Sequence, residues 1–98
     1  MFEIRLGEQG EIIMTGRLDA AQCDKALQFM DGILAPRVVD LTGLDYVSSA
    51  GLGVLLKTQK RVMASGQGLR LVNANKHIRD IFKYAGFDRI FEIVPAGG

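Results

Sequence analysis

The hydrophobic positions near the N-terminus alternate with polar ones, and this period predicts strands. Phe2, Ile4 and Leu6 alternate with charged residues, as in a strand with one face buried. Residues 8–10 carry a turn signal ending in glycine, and residues 12–15 form a second short apolar run. The chain is therefore predicted to open with a β-hairpin.

Further along, the period lengthens to that of an amphipathic helix. Asp19 is the expected N-cap of the first helix, with Gln22 completing a capping box, and Gly32 marks its expected end. The apolar face of this helix consists of Cys23, Ala26, Leu27 and Met30, at positions i, i+3, i+4 and i+7.

A second helix is predicted after the Ser48-Ser49 pair, and Gly66 and Gly68 should end it. The expected inward positions are Leu52, Leu55, Leu56, Gln59, Val62 and Met63. The expected outward positions are Lys57, Lys60, Arg61 and Ala64. The three basic residues among them could form a solvated face, and they could also contact an acidic partner.

A third helix is predicted after Asn75, which can cap it. Gly86 suits the left-handed position after its last turn, where Phe87 could pack back onto Phe82. The predicted apolar positions of this helix are Ile78, Ile81, Phe82 and Ala85.

Three more apolar runs predict strands, at residues 38–41, 69–72 and 90–94. Residues 42–47 are expected to be a connection that Asp40 supports, although Asp40 could also be an ordinary strand-end carboxylate. Residues 95–98 are expected to be a frayed tail. The predicted order is β-β-α-β-α-β-α-β, which implies a mixed, largely parallel sheet with helices packed against it, an α/β fold.

The composition is that of one ordinary globular domain over residues 1–98, with 48% hydrophobic and 23% charged residues. No apolar run approaches the roughly 20 residues of a membrane span, and Glu3 and Arg5 interrupt any signal peptide. A lone cysteine, Cys23, suits a reducing compartment, and with only His77 beside it a zinc site is not expected. We therefore expect a cytoplasmic protein without direct membrane insertion.

The net charge of +1 is too balanced to indicate nucleic-acid binding, so no nucleic-acid partner is expected. The balance conceals an asymmetry: residues 1–49 carry a net −4 and residues 50–98 a net +5. Two solvated faces would explain this distribution, and so would a surface that faces a charged partner.

Two junctions between a strand and a helix, at residues 16–19 and 45–53, are the candidate sites, because ligands of open α/β sheets gather there. The second junction places two hydroxyls and two glycines at the start of a buried helix. Gly51 and Gly53 each cost roughly 0.5–1 kcal/mol relative to alanine inside a helix. Close approach of another backbone or of a ligand could offset that cost.

Several catalytic motifs nearly match this junction but are incomplete. A dinucleotide fingerprint or a phosphate loop would require glycine at Leu56, and a nucleophile elbow would require glycine at Val47. Nothing in the spacing brings His77 to Ser49 as a base. We therefore expect no enzymatic activity, no catalytic residue, no metal and no cofactor. Ser48 and Ser49 could simply cap the helix, and a serine there could also be presented to a kinase.

Residues 38–41 together with Ser48-Ser49-Ala50-Gly51-Leu52-Gly53 resemble the signature of the STAS domain family, which includes the bacterial anti-sigma factor antagonists. The resemblance covers almost the whole chain. Residues 16–19 resemble the first strand–helix junction of the family, and residues 73–75 with Ile81, Phe82, Gly86 and Phe87 resemble its last third.

The resemblance implies a partner switch. An unphosphorylated antagonist binds a serine kinase that is also an anti-sigma factor, and phosphorylation of one serine releases it until a serine phosphatase resets it. Aligned on Gly51-Leu52-Gly53, that serine is Ser49. Many members have aspartate where this chain has Ser48, which makes Ser48 a possible second acceptor. The implied partner interface consists of Asp19, Asp45, Ser48, Ser49, Ala50, Gly51, Leu52 and Gly53.

Two other interpretations remain open at the level of sequence. The same fold could serve as a constitutive adaptor subunit of a lipid-transport or signalling complex, with Ser49 in the interface but never modified. A small enzyme or nucleotide binder that uses the loop at residues 48–53 is the third interpretation, against which the incomplete motifs argue.

Overall fold

A computed structural model of the chain describes residues 1–33, 35 and 37–95. The five strands are β1 (Phe2–Leu6), β2 (Ile12–Leu18), β3 (Val38–Val47), β4 (Arg70–Ala74) and β5 (Glu92–Pro95). The three α-helices are α1 (Cys23–Met30), α2 (Ser49–Val62) and α3 (Lys76–Tyr84). The predicted order of elements is confirmed.

The strands form one sheet in the order β1-β2-β3-β4-β5. β1 and β2 are an antiparallel hairpin, and each later strand lies parallel to its neighbour. The predicted mixed, largely parallel sheet is therefore confirmed. β3 pairs with β2 as far as Val47 but, among the described residues, with β4 only over Val38–Asp40.

One face of the sheet and the inward faces of all three helices form a single hydrophobic core. Residues that alternate with these core positions, such as Glu3, Arg5 and Arg17, are exposed on the opposite face of the sheet. The protein therefore has two layers. Its largest fully buried side chains include Phe82, Ile12, Met14, Leu18, Met30, Leu41, Leu44 and Leu55.

β3 is longer than its sequence pattern predicts. Residues 42–47, expected as a connection, continue the strand to Val47. The pairing with β2 shifts twice: at the first shift Leu41 and Thr42 together lie opposite Met14, and at the second Asp45 has no opposite residue. An extra residue reverses the alternation of buried and exposed positions, so the period of two is lost and the strand is not recognisable from hydrophobicity alone.

Asp40 holds the first of these bulges. Its carboxylate accepts hydrogen bonds from the backbone N–H of Thr42, at 2.9 Å, and from the Thr42 hydroxyl, at 2.6 Å. Burial, the largest influence, raises the pKa of Asp40, but these bonds and one from the Asn73 side chain outweigh it and lower the pKa. Asn73 occupies a bulge of β4 with a left-handed backbone, φ 63°. Asp40 therefore supports a bulge inside β3, where the sequence analysis expected it to support a connection after the strand.

The start of α1 differs from the prediction. Residues 20–22 form a 3₁₀ turn, the helix begins at Cys23, and the Asp19 side chain makes no capping hydrogen bond. The carbonyl of Asp19 is the acceptor instead, for the N–H of Gln22 at 3.0 Å and for the Cys23 thiol at 3.4 Å. The capping box predicted for Asp19 and Gln22 is therefore wrong, because the backbone carbonyl of Asp19, and not its carboxylate, accepts the hydrogen bond at the start of the helix.

Arg61 also lies differently from the expected outward position. Its half-buried guanidinium donates to the carbonyls of Met30 and Ile33 and pairs with Asp31 at 3.7 Å. These contacts join α2 to the C-terminal end of α1 and to the residues that follow it. Met63, expected to point inward, is 50% exposed because residues 63–65 form a 3₁₀ turn after the helix.

Gln59 connects α2 to the later strands. Its side chain accepts from the N–H of Leu69 at 2.6 Å and donates to the carbonyl of Ile90 at 2.8 Å. Its expected inward position is confirmed, since it is 2% exposed. A buried amide is stable there because both of its ends are hydrogen-bonded.

The last third follows the prediction closely. The Asn75 side chain accepts from the N–H of Ile78 at 2.9 Å and caps α3. Gly86 has a left-handed φ of 77°, and the Phe87 ring stacks on Phe82 with centroids 5.6 Å apart. Ala85 is exposed, contrary to expectation. The last strand begins at Glu92 because residues 87–89 form a 3₁₀ turn. It includes Pro95, the first residue of the predicted frayed tail. The rest of that tail, residues 96–98, lies outside the described residues.

Replacement of Asp40 by asparagine should lower the free energy of unfolding at neutral pH, since the charged form accepts the hydrogen bonds from Thr42 at the first bulge of β3 and from Asn73 at the bulge of β4. The folded chain lowers the pKa of Asp40. Its contribution is therefore fully present above the pKa of the unfolded chain and is lost as the pH falls through the folded pKa. Urea unfolding of wild type and Asp40→Asn, at neutral pH and at about pH 3, measures this. A stability difference that stays the same at both pH values would contradict the assignment.

Candidate functional site

The candidate site lies where β2 and β3 end. Leu18 and Val47 are the last paired residues of these strands, and the N–H of Ser48 donates to the carbonyl of Leu18 at 2.9 Å. The junction at residues 16–19 and the junction at residues 45–53 therefore meet, as the parallel sheet required.

The two adjacent serines have different environments. The half-buried Ser48 is the N-cap of α2, and its hydroxyl accepts from the N–H of Gly51 at 3.1 Å. Its carbonyl accepts from the N–H of Leu52 at 2.9 Å. Ser49, the first residue of the helix, is exposed. One hydroxyl is therefore engaged in the fold and the other faces solvent.

Cys23 lies behind Ser48, a neighbour that sequence reasoning missed because α1 and α2 are far apart in the chain. The thiol is buried and donates to the carbonyl of Asp19. Burial raises the pKa of Cys23, a hydrogen bond with Ser48 opposes that shift, and the charges of Asp19 and Asp24 add to it. The thiol is therefore protonated at neutral pH and serves as packing and as a hydrogen-bond donor.

The charged groups at this end of the sheet have both signs. Asp19 is half-buried, and its Oδ1 has no hydrogen-bond partner among the described residues. Asp45 is exposed on the second bulge of β3. Arg17 lies over the Tyr46 ring, 4.4 Å from its centroid, and adds a cation that the sequence analysis did not select. The strand pairing of Arg17 with Tyr46 explains this contact, and only the register could have revealed it.

The remaining residues of the predicted interface divide into packed and exposed positions. Gly51 is buried, and a β-carbon there would lie 2.8 Å from Cγ of Leu18 and 2.9 Å from Cγ2 of Val47. Leu52 is half-buried against the core. Ala50 and Gly53 are exposed, and a β-carbon on Gly53 would meet nothing within 4 Å.

The two best-defined surface cavities, of about 540 and 430 Å³, lie away from this junction. The larger lies near the N-terminal ends of β3, β4 and β5, and the smaller lies between the β1–β2 turn and the start of β3; Arg37 and Val38 line both. Within the described part of the chain, no group of three or more histidine, cysteine, aspartate or glutamate side chains could hold a metal ion. In the same residues, no helix is long and apolar enough to cross a membrane.

Comparison with known proteins places the chain in a family. The family model described as "Mlab, STAS domain" matches residues 3–95. BtrV of Bordetella bronchiseptica, which carries the name of an anti-sigma factor antagonist, is 38% identical over 74 residues. That match covers 76% of this chain and 58% of the relative, so it spans less than two thirds of the relative's length.

Solved structures share the fold at low sequence identity. An anti-sigma factor antagonist from Mycobacterium paratuberculosis superposes with a TM-score of 0.81 at 18% identity, covering 99% of this chain and 86% of that one. Unphosphorylated SpoIIAA gives a TM-score of 0.71 at 15% identity, covering 95% and 87%. Phosphorylated SpoIIAA of Bacillus gives 0.67 at 16% identity, covering 95% and 90%. The fold and the family match agree: this chain belongs to the STAS domain family.

Proposed function

We propose that this chain is an anti-sigma factor antagonist that binds an anti-sigma factor with serine kinase activity and releases it when Ser49 is phosphorylated. The observation that supports this most directly is the difference in environment between the two adjacent serines. Ser48 caps α2, whereas the adjacent Ser49 presents its hydroxyl to solvent at the end of the sheet. A kinase can reach Ser49 without unfolding the helix.

The names of relatives support the same role. BtrV and several proteins of the same fold are named as anti-sigma factor antagonists. For SpoIIAA both an unphosphorylated and a phosphorylated form have been solved, so phosphorylation of that antagonist is compatible with the fold.

The proposed chemistry is a phosphoryl transfer carried out by the partner. The Ser49 hydroxyl oxygen forms a bond to the γ-phosphorus of ATP, the bond between that phosphorus and the β–γ bridging oxygen breaks, and ADP leaves. The hydroxyl proton passes to a base of the kinase. The kinase supplies Mg²⁺ and ATP, so the antagonist acts as the substrate, has no cofactor of its own and is not the enzyme. A serine phosphatase would return it to the unphosphorylated form.

The phosphate would act on binding by its charge. It adds about −1.5 to −2 charges at pH 7, at a junction that already carries Asp19 and Asp45, with Arg17 as a partial counterweight. Burial of that group under a partner would require desolvation against these carboxylates. A penalty of about 2.7 kcal/mol is enough to weaken binding a hundredfold. The positive end of the α2 dipole tolerates a phosphate, so no change of fold is needed.

Ser48→Ala should lower the free energy of unfolding by about 1 kcal/mol, because the N–H of Gly51 loses its acceptor. Ser49→Ala is the matched control, and it should change stability by less than about 0.5 kcal/mol, since this hydroxyl is exposed. Urea unfolding of both variants measures the difference. Equal losses in the two variants would contradict the assignment of Ser48 as the cap.

Incubation of the purified chain with Mg-ATP and each candidate anti-sigma kinase should add one phosphoryl group, as measured by intact mass. Ser48→Ala should be phosphorylated like wild type, and Ser49→Ala should not be phosphorylated at all. The phosphorylated chain should then bind the kinase about a hundredfold more weakly, as expected from the ~2.7 kcal/mol penalty.

Two results would overturn the proposal in different ways. Phosphate on Ser49→Ala would show that another residue is the acceptor, and its loss in the Ser48→Ala, Ser49→Ala double variant would identify Ser48. Tight binding of a partner to wild type and Ser49→Ala alike, with no phosphate under any condition, would favour the constitutive adaptor.

A further inference from the structure

β1 is an edge strand of the sheet, and its hairpin with β2 fixes which of its backbone groups face outward. The N–H of Arg17 donates to the carbonyl of Met1 at 2.9 Å, and the N–H of Gly7 donates to the carbonyl of Glu11 at 2.7 Å. Residues of an antiparallel pair alternate between those that exchange hydrogen bonds and those that do not, so the odd-numbered residues of β1 bond to β2. The residues whose N–H and C=O groups point away from the sheet are Phe2, Ile4 and Leu6.

This outer row of backbone groups is largely unoccupied. The Lys25 ammonium donates to the carbonyl of Phe2 at 3.0 Å, which agrees with the outward direction of that group. The carbonyl oxygen can still accept a second hydrogen bond. Among the described residues, no side chain bonds the backbone of Ile4 or Leu6, and the Leu6 side chain is 49% exposed. Such an edge is a template for another strand.

The exposed face of β1 carries one charge of each sign. Glu3 and Arg5 are both exposed on the side of the sheet away from the helices, one on each side of Ile4. Glu3 lies 3.7 Å from Lys25, a contact between two exposed groups that contributes little. Arg5 has no ion-pair partner in the part of the chain that the structure describes. The strand is therefore complementary to a reversed copy of itself.

We propose that β1 pairs with β1 of a second copy of this chain, antiparallel and centred on Ile4, so that the two sheets become one. A two-fold axis makes the two strands antiparallel. The inference concerns self-association and does not depend on the proposed function.

The charges select this register among the few that the backbone allows. The outward groups of the two strands must face each other, so the axis can pass through Glu3, Ile4 or Arg5 without shortening the overlap greatly. An axis through Glu3 or through Arg5 places that residue opposite itself, and like charges directly opposite are destabilising. An axis through Ile4 places Glu3 opposite Arg5 of the second copy, twice, and brings the exposed Leu6 opposite Phe2.

The contact is a weak one. Two five-residue strands bury less surface than the 1,200–2,000 Å² of a stable dimer interface. We therefore expect a dissociation constant between about 10 μM and 1 mM, measured by sedimentation equilibrium of the purified chain over a series of concentrations.

Charge reversal tests the register. Arg5→Glu and Glu3→Arg each place like charges opposite one another at two symmetric positions, so each should weaken the dimer about fivefold or more. The double variant with both changes restores opposite charges and should dimerise like wild type. Lys57→Glu, at an exposed position of α2, is the matched control for the change in net charge and should leave association unchanged.

Hydrogen exchange of wild type tests the place of the contact without a substitution. The amide protons of Ile4 and Leu6 should exchange more slowly as the concentration rises, whereas those of Glu3 and Arg5, which already bond to β2, should change less. A chain that stays monomeric up to about 1 mM would overturn the inference. So would a dimer that the single reversals leave unchanged or that the double variant fails to restore, because its contact would lie elsewhere.

Discussion

The contact of α2 with the ends of β2 and β3 is the constraint on which the site depends. The helix begins where the Ser48 N–H donates to Leu18, and it can lie that close only because Gly51 has no side chain. A larger residue would move the first turn outward and, with it, Ser49. The precision of the site therefore comes from a tightly packed glycine and a backbone hydrogen bond, both of which are insensitive to what happens at the exposed surface.

Gly51 and Gly53 show how two similar residues can serve different purposes. Both lie in the first turns of one helix, and from the sequence each could be assigned only the loss of helix stability that glycine causes relative to alanine. The structure separates them by their surroundings: Gly51 is enclosed by Leu18 and Val47, and Gly53 faces empty space. Within the isolated chain only Gly51 contributes to packing. Gly53 makes the helix less stable than alanine would at the same position. Such a loss is common where a surface is shaped for binding.

Much of the fold could be predicted because local signals and the global pattern agree. Asn75, Gly86 and the stacking of Phe87 on Phe82 were readable from residue type and spacing. Two of the errors arose where a backbone carbonyl was the acceptor that sequence reasoning did not consider. The Asp19 carbonyl, not its carboxylate, accepts at the start of α1, and Arg61 turns toward the carbonyls of Met30 and Ile33. Helix capping by the serine pair was predictable, whereas the choice of Ser48 as the cap and its hydrogen bond with Cys23 required coordinates.

The bulges in β3 have a consequence for solubility. Beyond Asp40 the edge of β3 that faces β4 makes no further ladder pairs among the described residues, although the strand continues to Val47 and the Asn75 side chain donates to the carbonyl of Leu44 at 3.2 Å. A flat, unpaired edge of that length would invite another molecule to add a strand and begin aggregation. The irregular backbone at Thr42 and Asp45, with a carboxylate exposed at the second position, interrupts the row of N–H and C=O groups that such an addition needs. The same irregularity that concealed the strand from sequence analysis therefore makes this part of the edge, where Asn75 already bonds the Leu44 carbonyl, a poor template for an added strand.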